Sequence, residues 1–193
     1  MFPKRQILFG FFVFALLLIP SCSLMDPISP LKSGSELNYI TKNDIENALS
    51  FSENRLDNED WRVTLNSSES QVNVFWYDAD EKAIVSENYL IFSSTGEKDD
   101  FTDETYSEEG LKTKIFDAYE NVEVLAQCED NDGQLKLYEL SGSFEGNDYL
   151  FRSWVKQESE NRLLDVRLVF PANSRDLLQE YSKDFFPSLS SCD

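Results

Sequence analysis

Three turn signals, Asp132-Gly133, Gly146-Asn147-Asp148 and Ser159 to Asn161, cut residues 122–170 into four short segments. That spacing limits the fold more than any other feature. The segments are Val122 to Gln127, Leu135 to Leu140, Tyr149 to Lys156 and Arg162 to Phe170. Alternation of apolar and polar residues marks strands with one side chain in and the next out. In the last segment Leu164, Val166, Leu168 and Phe170 face one way, and Asp165 and Arg167 the other. An Asp-Gly pair is a favoured two-residue hairpin turn. Strands joined so closely run antiparallel, so four of them form a meander.

The rest of the chain extends this sheet. Trp61 to Leu65, Gln71 to Tyr77 and Tyr89 to Phe92 read as three further strands. A helix over Thr41 to Leu49 is predicted by Thr41 as cap, Asp44 three residues on, and Ile45, Ala48 and Leu49 on one face. Leu111, Ile115, Ala118 and Tyr119 predict a second helix from about Glu108 to Tyr119, with Thr105 and Glu108 as its capping box. A last helix follows Pro171, capped by Asn173 or Ser174, with Leu177, Leu178, Tyr181 and Phe185 as its buried stripe. The order is helix, three strands, helix, four strands, helix. Helices covering one sheet face give an α+β class with a single, mostly antiparallel sheet of about six to seven strands.

The chain has 36 acidic and 17 basic residues and no histidine, a formal net charge of −19. Phosphate backbones need a basic surface, so nucleic acid is excluded as a partner. The missing histidine excludes Ser-His-Asp and Cys-His catalysis and any His-ligated metal. An acidic surface favours basic partners or cations.

Lys4 and Arg5 precede an uncharged apolar run, Ile7 to Ile19, which Pro20 ends. The run is short of the roughly 20 residues a membrane span needs and reads as a signal peptide. Ile19-Pro20-Ser21-Cys22 resembles the bacterial lipobox: an aliphatic residue three before a cysteine, and a small residue just before it. Leu is preferred where Ile19 stands, and Pro20 is a less usual choice. The resemblance implies that Cys22 is diacylated on sulfur and becomes the first residue of the mature protein. Two or three acyl chains hold a protein to a membrane almost permanently. The expected organisation is a signal peptide over residues 1–21, a Pro- and Ser-rich tether over residues 22–36, and one α+β domain over residues 37–193. Without the signal, 36 acids face 15 bases, a mature net charge of −21.

If Cys22 carries lipid, Cys128 and Cys192 remain as a pair. In an oxidising envelope they can form a disulfide that pins the C-terminus to a central strand. Closing such a loop is worth about 4 kcal/mol in the chain-entropy model. The alternative is two unrelated thiols, one buried and one at a frayed end.

The element order also resembles the PsbP and Mog-type fold. The residues that carry the comparison are Leu137 to Leu140, Tyr149 to Val155, Leu163 to Phe170, and the ending Phe185-Phe186-Pro187-Ser188-Leu189. These are generic core patterns over roughly residues 60–190. That family is largely non-enzymatic, so the resemblance implies no catalytic residues. Histidines that bind metal in some of its photosystem members have no counterpart here.

Four features invite a functional reading. Asp130-Asn131-Asp132-Gly133 resembles part of a calcium loop, with Gly133 at position six and Glu139 at twelve, but position one would be Cys128. A plain hairpin turn fits better. Glu97, Asp99, Asp100, Asp103 and Glu104 belong to a stretch, residues 97–109, that holds seven acids and a single lysine. They could gather a divalent cation or dock a basic partner, or form a solvated loop held extended by its charge. Trp61, Trp76 and Trp154 fit core packing better than a binding surface. Cys128 has no histidine beside it, and a structural role fits it best.

The sequence therefore predicts a lipid-anchored, non-enzymatic envelope protein, a protein-binding accessory or assembly factor. Its domain would face the periplasm or exterior, or the thylakoid lumen in a photosynthetic source. The alternative is a cation- or small-ligand-binding envelope domain that uses residues 97–109. No catalytic residue, metal ligand or cofactor is assigned, and the oligomeric state is left open.

Overall fold

The computed structural model describes residues 39–56 and 60–192. The expected signal peptide and tether, with Cys22, lie outside the described residues. Helix α1 (Lys42–Glu53) leads into strands β1 (Trp61–Ser67), β2 (Gln71–Asp78) and β3 (Ala83–Ile91). Helix α2 (Thr95–Thr105) and one short turn, α3 (Glu108–Gly110), come next. Strands β4 (Glu120–Glu129), β5 (Leu135–Phe144), β6 (Asn147–Ser159) and β7 (Arg162–Pro171) follow, then helix α4 (Arg175–Phe185). The seven strands form one sheet in the order β1-β2-β3-β7-β6-β5-β4, and every neighbouring pair is antiparallel. The class is α+β with a single antiparallel sheet, as the turn spacing predicted.

Local chemistry explains the first element. Thr41 caps α1 by accepting from the Asp44 amide at 3.2 Å, and Asp44 accepts from the Thr41 amide at 2.8 Å. Two otherwise orphaned N–H groups are satisfied reciprocally. Asp44 also accepts from Arg162 Nη1 at 2.9 Å, which ties the helix start to β7. Burial acts to raise the Asp44 pKa, but the bonds from Thr41 and Arg162 outweigh it and hold the carboxyl below its ordinary value.

The sheet is covered on both faces, not one. On the first face α1 and α4 bury Ala48, Leu178 and Phe185 against Val74, Val85, Val166 and Leu168. Complete burial of a side chain such as Leu178 or Phe185 contributes about 2 kcal/mol. On the second face Tyr106, Leu111 and Phe116 cover Tyr138, Leu140, Phe151 and Val155. Phe116 stacks on Phe151 with ring centres 4.5 Å apart. The second cover comes from the connection between β3 and β4, which runs across that face.

Four further expectations need correction. The third strand starts at Ala83 rather than Tyr89, because polar Ser86, Glu87 and Asn88 break the apolar pattern while remaining paired in the sheet. The acidic stretch is not an extended loop. Residues 95–105 form α2, whose N-cap Ser94 accepts from the Glu97 amide at 3.2 Å. The second expected helix is short: Ser107, not Thr105, caps it, and it passes through a π turn at Leu111–Ile115 that ends at Phe116. α4 starts from a 3-10 turn at Ala172–Ser174 without a side-chain cap.

Cys128 and Cys192 lie at disulfide distance, with Cα atoms 5.5 Å apart. The strand they tie down is β4, which borders the sheet, so the link is to an edge and not to the centre.

Candidate functional site

A pocket of about 310 Å³ opens between α2 and the end of the sheet's second face. Its floor is apolar, from Val155 of β6 and Leu163 of β7, both buried. Lys98 and Thr102 of α2 form one wall, and Lys136 of β5 with Gln157 of β6 the other. Gly133 and Gln134 make the lip, and Asp99 and Asp103 sit at the exposed rim.

The lip is held by its own turn. Asp130 Oδ1 accepts from the amides of Gln134 at 3.0 Å and Leu135 at 3.1 Å. Gly133 takes φ +66°, a conformation that glycine adopts without cost. The Gln134 carbonyl accepts from the Gln157 amide at 2.8 Å, joining the β4–β5 turn to β6. The opposite wall is fixed by Phe101, whose ring lies 5.1 Å from Phe92 and 6.4 Å from Tyr106.

Lys98 is the unusual residue. It is 3% exposed, although lysine is rarely buried without a partner. Its ammonium lies 3.3 Å from Asp99 Oδ1, a carboxylate whose side chain is 61% exposed. An ammonium has three donors, so this one retains capacity toward the pocket it lines.

A second buried polar group lies nearby on the same face. Asp165 accepts from Asn88 Nδ2 at 3.2 Å and from Arg167 Nε at 3.1 Å. Asn88 in turn accepts from Asn73. The Tyr106 hydroxyl is buried over this pair without a hydrogen bond of normal geometry. Burial, with the Asp165 charge beside it, pushes the Tyr106 pKa well above its usual value. These contacts join β2, β3 and β7 and explain how a polar strand centre is accommodated.

The first face has a third. Glu87 is 1% exposed, and its Oε2 and the Ser52 hydroxyl are both buried without a hydrogen bond of normal geometry. Burial pushes the Glu87 pKa up to about 8, softened by nearby Ser52 and Arg55.

The residues singled out from sequence divide clearly. Asp99 and Asp103 reach the pocket rim, and Asp100 and Glu104 face solvent on the same helix. Glu104 pairs with Lys114, and Glu97 accepts from the Ser93 hydroxyl and from the Ser93 amide at 3.0 Å, which together hold its carboxyl below the ordinary value. Among the described residues no three Asp, Glu or Cys side chains gather as a metal ion would require. Asp130 to Gly133 is a hairpin turn between two strands, not a calcium loop between helices. Trp61, Trp76 and Trp154 are all buried in the core. Lys98, Lys136, Gln134 and Gln157 were not anticipated. One signal could have found Lys98: it is the single base in a stretch of acids.

No known protein family and no curated protein matches the sequence. Among solved structures, a protein of unknown function from Pseudomonas aeruginosa, PA94, is similar at 14% identity with a TM-score of 0.42. That similarity covers 66% of this chain and 96% of PA94. Human StAR-related lipid transfer protein 5 is similar at 10% identity with a TM-score of 0.29, over 75% of this chain and 93% of its own. At TM-scores this low, neither neighbour's chemistry transfers to this chain. Among the described residues no helix is long and apolar enough to cross a membrane.

Proposed function

We propose that this is a lipid-anchored, non-enzymatic cell-envelope protein that presents its α+β domain to a protein partner. One observation carries the reading. Cys128 and Cys192 account for each other, which leaves Cys22 as the odd cysteine, at the end of the lipobox-like tetrapeptide that follows the apolar run. A cysteine pair at disulfide distance also suits an oxidising compartment outside the cytoplasm. The partner offers a basic surface to the exposed carboxylates of α2, Asp99, Asp100, Asp103 and Glu104. Fractionation of the native host tests the anchor. The wild-type protein is expected to stay with membranes through alkaline and high-salt washing, and Cys22→Ser to be released. Equal retention of both would overturn the anchor, as would an intact mass showing Cys22 unmodified.

The pocket favours a second reading, a small-ligand-binding domain on the same anchor. The acidic segment supplies one wall of a preformed cavity, and its volume is at the lower end of the range for small-molecule sites. Saturable chemical-shift changes confined to α2, Gln134 and Gln157 during titration with a small-molecule panel would support it.

A further inference from the structure

We propose that the pocket beneath α2 binds a small aliphatic zwitterion of amino-acid size, carboxylate inward and ammonium outward. This rests on the small-ligand reading above and adds the class of ligand. The pocket is lined by both signs of charge, and the Lys98 ammonium lies 3.3 Å from Asp99 Oδ1. Lys98 is buried and Lys136 half-buried, whereas Asp99 and Asp103 are exposed at the rim. An anion alone would meet the rim carboxylates on its way in, and a cation alone would end against two ammonium groups. A molecule carrying both charges a few bonds apart satisfies both signs at once.

The floor adds the third requirement. Val155 and Leu163 are buried apolar side chains and offer nothing to a polar group. They suit a short hydrocarbon branch beside the carboxylate. The volume of about 310 Å³ admits one amino acid. The Asp130 turn and the Gln134–Gln157 bond set the lip in advance, so little ordering is needed on binding.

Calorimetric titration of the full chain in detergent micelles tests this with three probes: L-leucine, N-acetyl-L-leucine and L-leucinamide. Saturable binding of L-leucine is expected, and blocking either charge should weaken it at least about tenfold, the usual effect of losing a charged hydrogen bond. Lys98→Met, which keeps the apolar stem, should weaken L-leucine by a similar factor. Lys136→Gln, at a half-buried position, should do so with no change in melting temperature, which covers the case of a misfolded Lys98 variant. Equal binding of all three probes, or unchanged leucine binding in both lysine variants, would overturn the zwitterion class and leave a small-ligand pocket standing. Failure of every probe to bind at high millimolar concentration would overturn the zwitterion class, and a panel titration that also shifts no resonance of α2, Gln134 or Gln157 would overturn the small-ligand reading.

Discussion

At Glu87 a carboxyl group sits among Val85, Tyr89 and the underside of α1, where water cannot reach it. In the unfolded chain it titrates near 4.5, and in the folded protein near 8. The folded state therefore holds this proton more tightly. Stability from this group is complete below the unfolded value, falls as pH rises toward 8, and is constant above that. The slope cannot exceed about 1.4 kcal/mol per pH unit for one proton. Glu87→Gln keeps the shape and removes the titration. Urea midpoints should show the variant gaining on wild type from pH 5 to pH 8 and then running parallel. A constant difference across that range would show that Glu87 does not titrate as described.

Between elements, the tightest constraint is Gly110, where the chain turns from α2 toward the second-face cover. A Cβ there would stand 2.1 Å from the Glu104 carbonyl oxygen and 2.6 Å from that of Thr105. Backbone atoms cannot step aside as a side-chain tip can. Gly110→Ala should therefore cost about 1–3 kcal/mol, in the range of buried overpacking, and lower the melting temperature accordingly. An unchanged melting curve would mean that the corner can open. The same elements show which features were legible in sequence. Thr41 and Asp44 cap α1 within one turn, so the motif is visible in four consecutive residues. The hairpin turns of the second half were legible for the same reason. β3 was half hidden because Glu87 and Asn88 look solvent-facing. Asn88 finds Asp165 77 positions away, and Glu87 lies under the end of α1. α2 was hidden by its charge: seven acids across residues 97–109 outweigh the few residues, Lys98, Phe101 and Thr105, that turn it toward the sheet. The pocket needed α2, the Asp130 turn and β6 brought together, which no local pattern encodes.

Across the whole molecule, the Cys128–Cys192 pair spans 64 residues and closes most of the second half into one loop. Beside it, the Trp154 indole donates to the Leu189 carbonyl at 2.8 Å, and the Trp154 ring lies 5.2 Å from that of Phe186. Reduction should lower stability by about 4 kcal/mol on the chain-entropy estimate and shift tryptophan emission to the red as the tail loosens. Denaturant melts with and without dithiothreitol measure both, and coincident curves would show that the pair contributes nothing. The pair thus clamps the tail against β4 and the Trp154 indole. A copy whose two thiols stay reduced would keep an undocked end and an uncovered indole, a handle that proteases can seize.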